Sequence, residues 1–254
     1  LRRAAGGGDQ GPEAGGGAGV SVPSFPIAFP ILSKIIVACD VRPYRRSSGS
    51  GLENGDDFSI DRGQPGWLAD FTTRTLTALE AGQLDAFFAS LRGPQRFFTF
   101  HDPAREYPLA YMPAGWGSLT RVGGGSFDGT ASISAIGNSG LSGAARDTIT
   151  VGTGSAKLPA GLLHSPGDDI ALEEGGKISL HRVLDPGGVT ASVGGASTLW
   201  VEPEVPAGFT TSATARLYRA AAKWRLLEWQ GGRQAGRARQ GQVTFKAIST
   251  LRTG

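Results

Sequence analysis

The chain contains very little cysteine and few residues that could hold a metal. Its 254 residues include one cysteine, Cys39, and three histidines. A single thiol cannot form an internal disulfide or a thiolate metal cluster, and Cys39 lies in an alternating apolar run typical of a small buried hydrophobe. None of the histidines has a second histidine or a cysteine two or four positions away. We therefore expect no metal site and no bound cofactor.

Long apolar runs and a strong excess of one charge are also missing. No run approaches the roughly 20 apolar residues of a membrane-spanning helix, and the beginning of the sequence lacks a signal-peptide core. The 25 basic residues barely exceed the 22 acidic ones, which is too small an excess to indicate nucleic-acid binding. Arg233, Arg237 and Arg239 fit a solvated or intersubunit loop. The sequence thus predicts neither a membrane partner nor specific nucleic-acid binding.

Sequence signatures of catalysis are missing as well. The chain has no G-x-S-x-G, no phosphate-binding G-x-x-x-x-G-K-[ST], no H-E-x-x-H and no G-x-G-x-x-G. Paired carboxylates occur at Asp168 with Asp169 and Glu173 with Glu174, and elsewhere at 56–57 and at 202 with 204. We interpret these pairs as solvated turns, since no aromatic-rich cleft motif surrounds them as a glycosidase site would require. We predict no catalytic residue and expect the protein not to be an enzyme.

Glycine and proline, in contrast, are abundant. The chain has 40 glycines and 15 prolines, and because both weaken helix interiors, the composition predicts a mainly β protein with many short strands. Residues 1–19 are a low-complexity Gly/Ala segment that buries too little apolar surface to offset the entropy of ordering, so we expect this segment to be flexible. An alternative is that translation begins near Val20.

One stretch predicts a strand, a helix and a second strand in succession. Residues 67–73 alternate apolar and polar side chains, which is typical of a half-buried strand. Thr77 and Glu80 form a capping-box pattern, and Gly93 is placed to end the helix in a left-handed conformation. Residues 96–101 form the second strand. The apolar residues of the helix recur at spacings of three and four, so one helix face should pack on a sheet.

The remaining chain predicts further strands. Residues 33–41 are apolar on both faces and are expected to form a central strand. Residues 115–156 are expected to contain brief, exposed strands. Residues 168–218 form a series of strands with tight turns, which favours a small barrel or sandwich. Two more strands are predicted at 223–229 and 242–249.

These elements suggest one discontinuous domain with an inserted module. We predict a mainly β domain with one packed α-helix, formed by residues 20–114 and 220–254, and a small β-barrel or sandwich module at 115–219. Pro23, Phe25 and Pro26 lie in an extended segment that could reach a neighbouring subunit. The candidate residues for the core or interface of the discontinuous domain are Trp67, Phe71, Leu84, Phe87, Phe88, Leu91, Phe98, Phe100, Trp224 and Trp229.

Several of these motifs together resemble a known family. The order is a strand beginning W-L-A at 67–69, a T-x-x-E-capped helix ending L-R-G at 91–93, and F-x-x-x-D-P at 98–103. With the later strings at 178–184 and 199–203, this pattern resembles tail proteins of proteobacterial siphophages and prophages, including gene-transfer-agent-like particles.

The resemblance implies a distal tail protein. Such a protein has a β-rich belt domain that assembles as a hexameric ring, with an attached β module facing outward. The ring would join the major tail tube protein to the hub and baseplate proteins of the tail tip. The implied location is the virion, after assembly in the cytoplasm of the host bacterium. The Gly-rich beginning of the chain departs from the family pattern.

Two functions from other classes stay open. The first is a carbohydrate-binding module of the tail tip, in which Trp116 or Trp200 stacks on sugars of the host surface. The second is a cell-wall hydrolase, which would require two carboxylates facing each other across a cleft.

Overall fold

The computed structural model describes residues 27–28, 32–45, 47–51, 57–61, 65–111, 115–140, 146–154, 156–230 and 241–251. The expected flexible segment at 1–19, the arm residues Pro23, Phe25 and Pro26, and the three loop arginines lie outside the described residues. Within these residues the chain forms sixteen strands and two α-helices. The prediction of a mainly β protein is confirmed.

The elements follow the chain in this order. The helices are α1 (Leu32–Ile35) and α2 (Ala78–Leu91). The strands are β1 (Ile27–Ala28), β2 (Ile36–Tyr44), β3 (Ser47–Gly51), β4 (Asp57–Asp61), β5 (Gly66–Thr73), β6 (Phe97–His101), β7 (Thr130–Gly137), β8 (Thr148–Val151), β9 (Leu163–His164), β10 (Asp169–Glu174), β11 (Lys177–Val183), β12 (Val189–Thr190), β13 (Ser197–Glu202), β14 (Thr214–Arg216), β15 (Ala221–Gln230) and β16 (Thr244–Ser249).

Six strands form an open sheet from the two ends of the chain. Their order is β1-β6-β15-β16-β5-β2, and every pairing is antiparallel except that of β1 with β6. The chain leaves this sheet after β6 and returns to it in β15, the strand beside β6. Everything between these two strands is therefore built outside the sheet.

Alternation along β5 supplies the aromatic core of the sheet. Successive side chains of a strand point to opposite faces, and every second residue of β5, from Trp67 to Thr73, is buried. Phe71 stacks on Phe245, with ring centroids 4.5 Å apart, and meets Phe100 and Trp224 edge to face. The predicted strand and its inward face are confirmed.

The helix α2 begins as predicted and ends one residue earlier than predicted. Thr77 Oγ1 accepts a hydrogen bond from the Glu80 N–H, and the Glu80 carboxylate accepts one from the Thr77 N–H at 2.9 Å. This backbone bond, together with Arg74, lowers the pKa of Glu80 to about 2. The C-cap is Arg92, which has a φ of 49°. The prediction that Gly93 is the cap was wrong, although Gly93 is also left-handed, with a φ of 64°.

The apolar face of α2 packs on the sheet. Phe87 meets Phe98 of β6 edge to face at 5.7 Å, and Phe88 contacts both Phe245 of β16 and Trp229 of β15. The helix thereby covers three neighbouring strands of the sheet.

The prediction of a central strand at residues 33–41 was wrong. Residues 32–35 form α1, and β2 lies at the edge of the sheet with Val37 61% exposed. An apolar run is compatible with a central strand or with an edge strand. β2 is an edge strand because, among the described residues, it pairs with β5 and with no second strand of the sheet. Cys39 is half-buried, and burial raises the pKa of its thiol. Beyond β2 along the chain, β3 pairs with β4 in a separate two-stranded sheet.

A closed barrel fills the space between β6 and β15 along the chain. Its order is β10-β11-β13-β8-β7-β14, and β14 pairs with β10 to close it. The expectation that β7 and β8 are exposed was wrong, because closure turns alternate residues of both strands inward. Ala131, Ile133, Ile149 and Val151 are all at most 4% exposed.

The barrel rests on the sheet through the outer face of β10 and β11. Ile170 and Leu172 belong to the core of the barrel, whereas Ala171 and Leu180, which are cross-strand partners, join the core of the sheet. The two hydrophobic cores therefore lie on opposite faces of the same pair of strands.

Candidate functional site

The structure gathers most of the candidate core residues in one cluster. The buried members are Trp67, Phe71, Leu84, Phe87, Phe88, Leu91, Phe98, Phe100 and Trp224. Trp229 differs, because it is 44% exposed, with its ring tilted against that of Phe88. It lies near the end of β15, beyond a bulge between Leu226 and Glu228. Trp229 is therefore a surface residue rather than a core residue.

Exposed apolar side chains occur at the end of the sheet where β15 leads toward β16. Leu227 is 46% exposed and Trp229 44%, while Leu79, in the first turn of α2, is 72% exposed. The Leu76 N–H donates to the Gly241 carbonyl, which ties the approach to α2 to the same end of the sheet. This end of the molecule combines aromatic and aliphatic surface of the kind found at protein interfaces.

The edge of the sheet at β2 is a second surface available for contacts. Among the described residues, β2 pairs with β5 on one side only. An unpaired strand edge is a template for pairing with another chain. Asp40 and Arg42 of β2 form an exposed ion pair at 2.8 Å. The edge is thus charged as well as open.

The outer face of the sheet is polar and balanced in charge. Arg42 pairs with Asp70 at 2.6 Å, and Lys246 pairs with Glu228 at 2.6 Å. A cleft of about 280 Å³ lies on this face, lined by Asp70, Glu228 and Lys246 together with neighbouring residues of β5, β15 and β16. Exposed pairs of this kind contribute little to stability. The face has no excess of either charge with which to attract a charged ligand.

Asp168 and Asp169 form part of a buried polar cluster where the barrel meets the sheet. The expectation that they form a solvated turn was wrong, because they are only 2% and 6% exposed. Asp168 accepts backbone hydrogen bonds from Leu109 and Ser165, both at 2.7 Å. Asp169 accepts a hydrogen bond from the side chain of Arg182, at Nε, over 2.9 Å. Burial raises the pKa of both carboxyls.

Polar contacts continue from this cluster onto the sheet. The Arg182 guanidinium lies over the Trp67 indole, 4.8 Å from the ring centroid, and Trp67 Nε1 donates to the Leu180 carbonyl at 2.6 Å. Lys223 of β15, only 1% exposed, donates to the Gly176 carbonyl in the turn between β10 and β11. Charged and polar groups therefore make a large part of the contact between sheet and barrel.

The histidines have structural positions. His164 and His181 are fully buried, and burial lowers the pKa of each to about 4. One nitrogen of His181 bonds to the Pro203 carbonyl at 2.6 Å, whereas neither nitrogen of His164 has a hydrogen-bond partner among the described residues. Burial also lowers the pKa of the half-buried His101. In the described part of the chain, no group of three His, Cys, Asp or Glu residues is arranged to hold a metal ion.

The two tryptophans proposed for sugar contact differ in exposure. Trp116 is 7% exposed and is surrounded by Tyr107, Phe127 and Tyr218, so its ring faces are covered. Trp200 is half-buried on the outer face of β13, since its neighbours along the strand point into the barrel. Only Trp200 presents ring surface to a ligand.

Two of the remaining candidate carboxylates are held in ion pairs. Glu173 pairs with Arg216 at 2.7 Å across β10 and β14, and Glu202 pairs with Arg45 at 2.8 Å. The second pair joins the barrel to the end of β2. The expectation of solvated turns was wrong for both, because Glu173 lies in β10 and Glu202 in β13.

These features define a mainly β protein in which an open, helix-covered sheet carries a closed barrel between two neighbouring strands. No model of a protein family matches the chain, and no curated protein matches it. Among the described residues, no helix combines the length and apolar character needed to cross a bilayer.

Proposed function

We propose that the protein is a structural subunit of a siphophage-type tail tip, of the distal tail protein class. The open sheet with α2 would form the ring, and the barrel would be the module attached to it. The ring would join the major tail tube protein to the hub of the tip. On this proposal, the protein serves assembly rather than catalysis.

The path of the chain carries the proposal. A sheet made from both ends of the chain, interrupted between β6 and β15 by a self-contained barrel, matches the belt domain with an inserted module that the family resemblance implies. The resemblance itself rests on motifs in and around β5, α2 and β6 and on the strings at 178–184 and 199–203. The first group belongs to the sheet and the helix that covers it, and the second to β11 and β13 of the barrel.

The exposed surfaces are compatible with a ring. A closed ring uses head-to-tail contacts, so each subunit needs two different complementary surfaces. The open edge at β2 and the apolar end near Trp229 are separate surfaces of different chemistry. An open edge supplies backbone hydrogen bonds, and exposed aromatic residues supply buried apolar area.

Native mass measurement of the purified protein tests the proposal. We expect a ring of several subunits, either alone or after addition of tail tube protein. Trp229→Asp should lower the ring fraction at least about tenfold, because a central aromatic anchor contributes strongly to an interface. Val193→Asp is the matched control, since Val193 is 92% exposed in a turn of the barrel. A protein that stays strictly monomeric under both conditions would contradict the proposal.

A second candidate is a carbohydrate-binding function of the barrel, favoured by the outward position of Trp200. Thr150 and Thr198 lie on the neighbouring outer surface, with their hydroxyls 2.9 Å apart. An indole beside hydroxyl groups can stack on and hydrogen-bond a sugar ring. We expect Trp200→Ala to abolish binding on a glycan array while Trp229→Ala retains it. If the unmodified protein binds no glycan, this function is excluded.

A further inference from the structure

The barrel is largely independent of the sheet in its packing. Its strands close on themselves, so its hydrogen-bond ladder needs no strand from the sheet. Its core is a separate cluster, and the barrel residues that extend the core of the sheet are Ala171, Leu180 and the half-buried Ile178. Contacts between units of this kind resemble transient interfaces, for which relative motion is the default expectation.

Polar contacts hold the barrel in its observed position. Lys223 of β15, which is almost fully buried, donates to the Gly176 carbonyl of the barrel. Arg182, which pairs with Asp169 inside the barrel, lies over the Trp67 ring of the sheet. Burying charged groups costs free energy that their mutual attraction offsets only in a good geometry. Such a contact favours one position of the barrel over others, because a displaced charge would lose its partner while still buried. It adds little to the net free energy of docking.

The charged groups at this junction are balanced in number. The barrel contributes Asp168, Asp169 and Arg182, the segment that follows β6 contributes Asp102 and Arg105, and β15 contributes Lys223. Arg105 pairs with Asp102 and bonds to the Gly167 carbonyl, while Asp102 also acts on the Asp169 carboxyl. Three carboxylates thus face three cationic groups, so the junction carries no excess of either charge.

The two connections between sheet and barrel are fastened to each other. The Arg219 N–H donates to the Glu106 carbonyl at 2.8 Å. The Glu106 carboxylate also accepts hydrogen bonds from Tyr218 Oη at 3.1 Å and Arg219 Nε at 2.6 Å. The outgoing and returning segments therefore move together and can act as one pivot.

We propose that the barrel is a reversibly docked module, latched to the sheet by the contact of Trp67 with Arg182, which Asp169 holds in place within the barrel. On release, the barrel separates from the sheet as an intact unit about the Glu106–Arg219 pivot. This inference does not depend on the proposed function, because it concerns a single subunit.

Hydrogen exchange of the full chain with Arg182→Met tests the latch. Methionine keeps part of the apolar stem but leaves Asp169 without its guanidinium partner. We expect the Trp67 indole N–H to exchange at least about tenfold faster, while the backbone N–H groups that join β8 and β13 keep their parent rates. Arg216→Met is the matched control, since Arg216 pairs with Glu173 inside the barrel sheet. It should leave Trp67 exchange unchanged.

Two results would overturn the proposal. If the exchange of the Trp67 N–H and that of the barrel amides become faster together, undocking of the barrel and its unfolding are a single transition. If neither changes, Arg182 does not latch the barrel. The unmodified chain gives a second measurement that does not depend on a variant folding. Exchange rates measured in increasing urea give the free energy of the opening that exposes each N–H. For the Trp67 indole N–H, this free energy and its dependence on urea should both be smaller than for the barrel amides. Equal values for the two would exclude a separate undocking step.

Discussion

Lowering the pH from 7 to 4.5 should reduce the free energy of unfolding by several kcal/mol, because His164 and His181 are buried as neutral rings. In the folded chain burial lowers the pKa of each ring to about 4, whereas an unfolded histidine takes up its proton near pH 6.5. Between these pH values the unfolded chain binds more protons than the folded chain. The contribution of the two rings to the free energy of unfolding is therefore fully present above about pH 6.5 and is lost as the pH falls toward 4. The expected loss at pH 4.5 is about 2 kcal/mol for each ring.

Urea denaturation at both pH values measures this effect. His164→Leu should flatten the pH dependence, and because neither nitrogen of His164 has a hydrogen-bond partner among the described residues, the substitution removes no such bond. His101→Gln is the comparison and should flatten the pH dependence less, because His101 is only half-buried and its pKa is lowered less than that of His164. Asp168 and Asp169 act in the opposite sense, because burial raises their pKa, and they reduce the net loss. If the profiles of the parent and of His164→Leu coincide, the assignment to His164 is wrong.

Phe71→Ala should destabilise the protein by about 3–5 kcal/mol. Phe71 is 1% exposed and lies between Phe245, Phe100 and Trp224, so its removal leaves a cavity that three large rings cannot fill by small movements. The free energy of unfolding from urea titration at pH 7 measures the loss.

Leu79→Ala is the matched control for this substitution. Leu79 is 72% exposed, and alanine is at least as good a helix former as leucine. We expect a change within about 0.5 kcal/mol. Similar losses for both substitutions would mean that the aromatic cluster is not the main source of stability in the sheet.

Local features of the fold could be predicted where a few neighbouring residues decide the structure. Alternation decides the faces of β5, and the Thr77–Glu80 pair decides the start of α2, because each depends on bonds within a few residues. The edge position of β2 could not be predicted in this way. It depends on which strand lies beside β5, and the apolar run of β2 does not carry that information.

The polar junction between sheet and barrel lay beyond local prediction for the same reason. Trp67 and Leu180 are 113 positions apart in the chain, and nothing in either segment indicates the other. Two adjacent aspartates after a Ser-Pro-Gly turn are typical of solvent-exposed sequence, so Asp168 and Asp169 were misassigned. The large aromatic residues of the sheet were easier to assign, because residues of that size are buried in most contexts. Trp229 is the exception, since at the end of β15 its side chain stays 44% exposed.

The hydrogen bond between the Arg219 N–H and the Glu106 carbonyl also bears on how this molecule could diversify. Because the outgoing and returning segments lie side by side, the chain enters and leaves the barrel at one place, and units with adjacent ends are readily inserted into a host fold. β6 and β15 would remain neighbours with a different unit, or a short turn, between them. The sheet can therefore be regarded as a constant platform and the barrel as an exchangeable part, so that the surface of the barrel could change without altering the sheet.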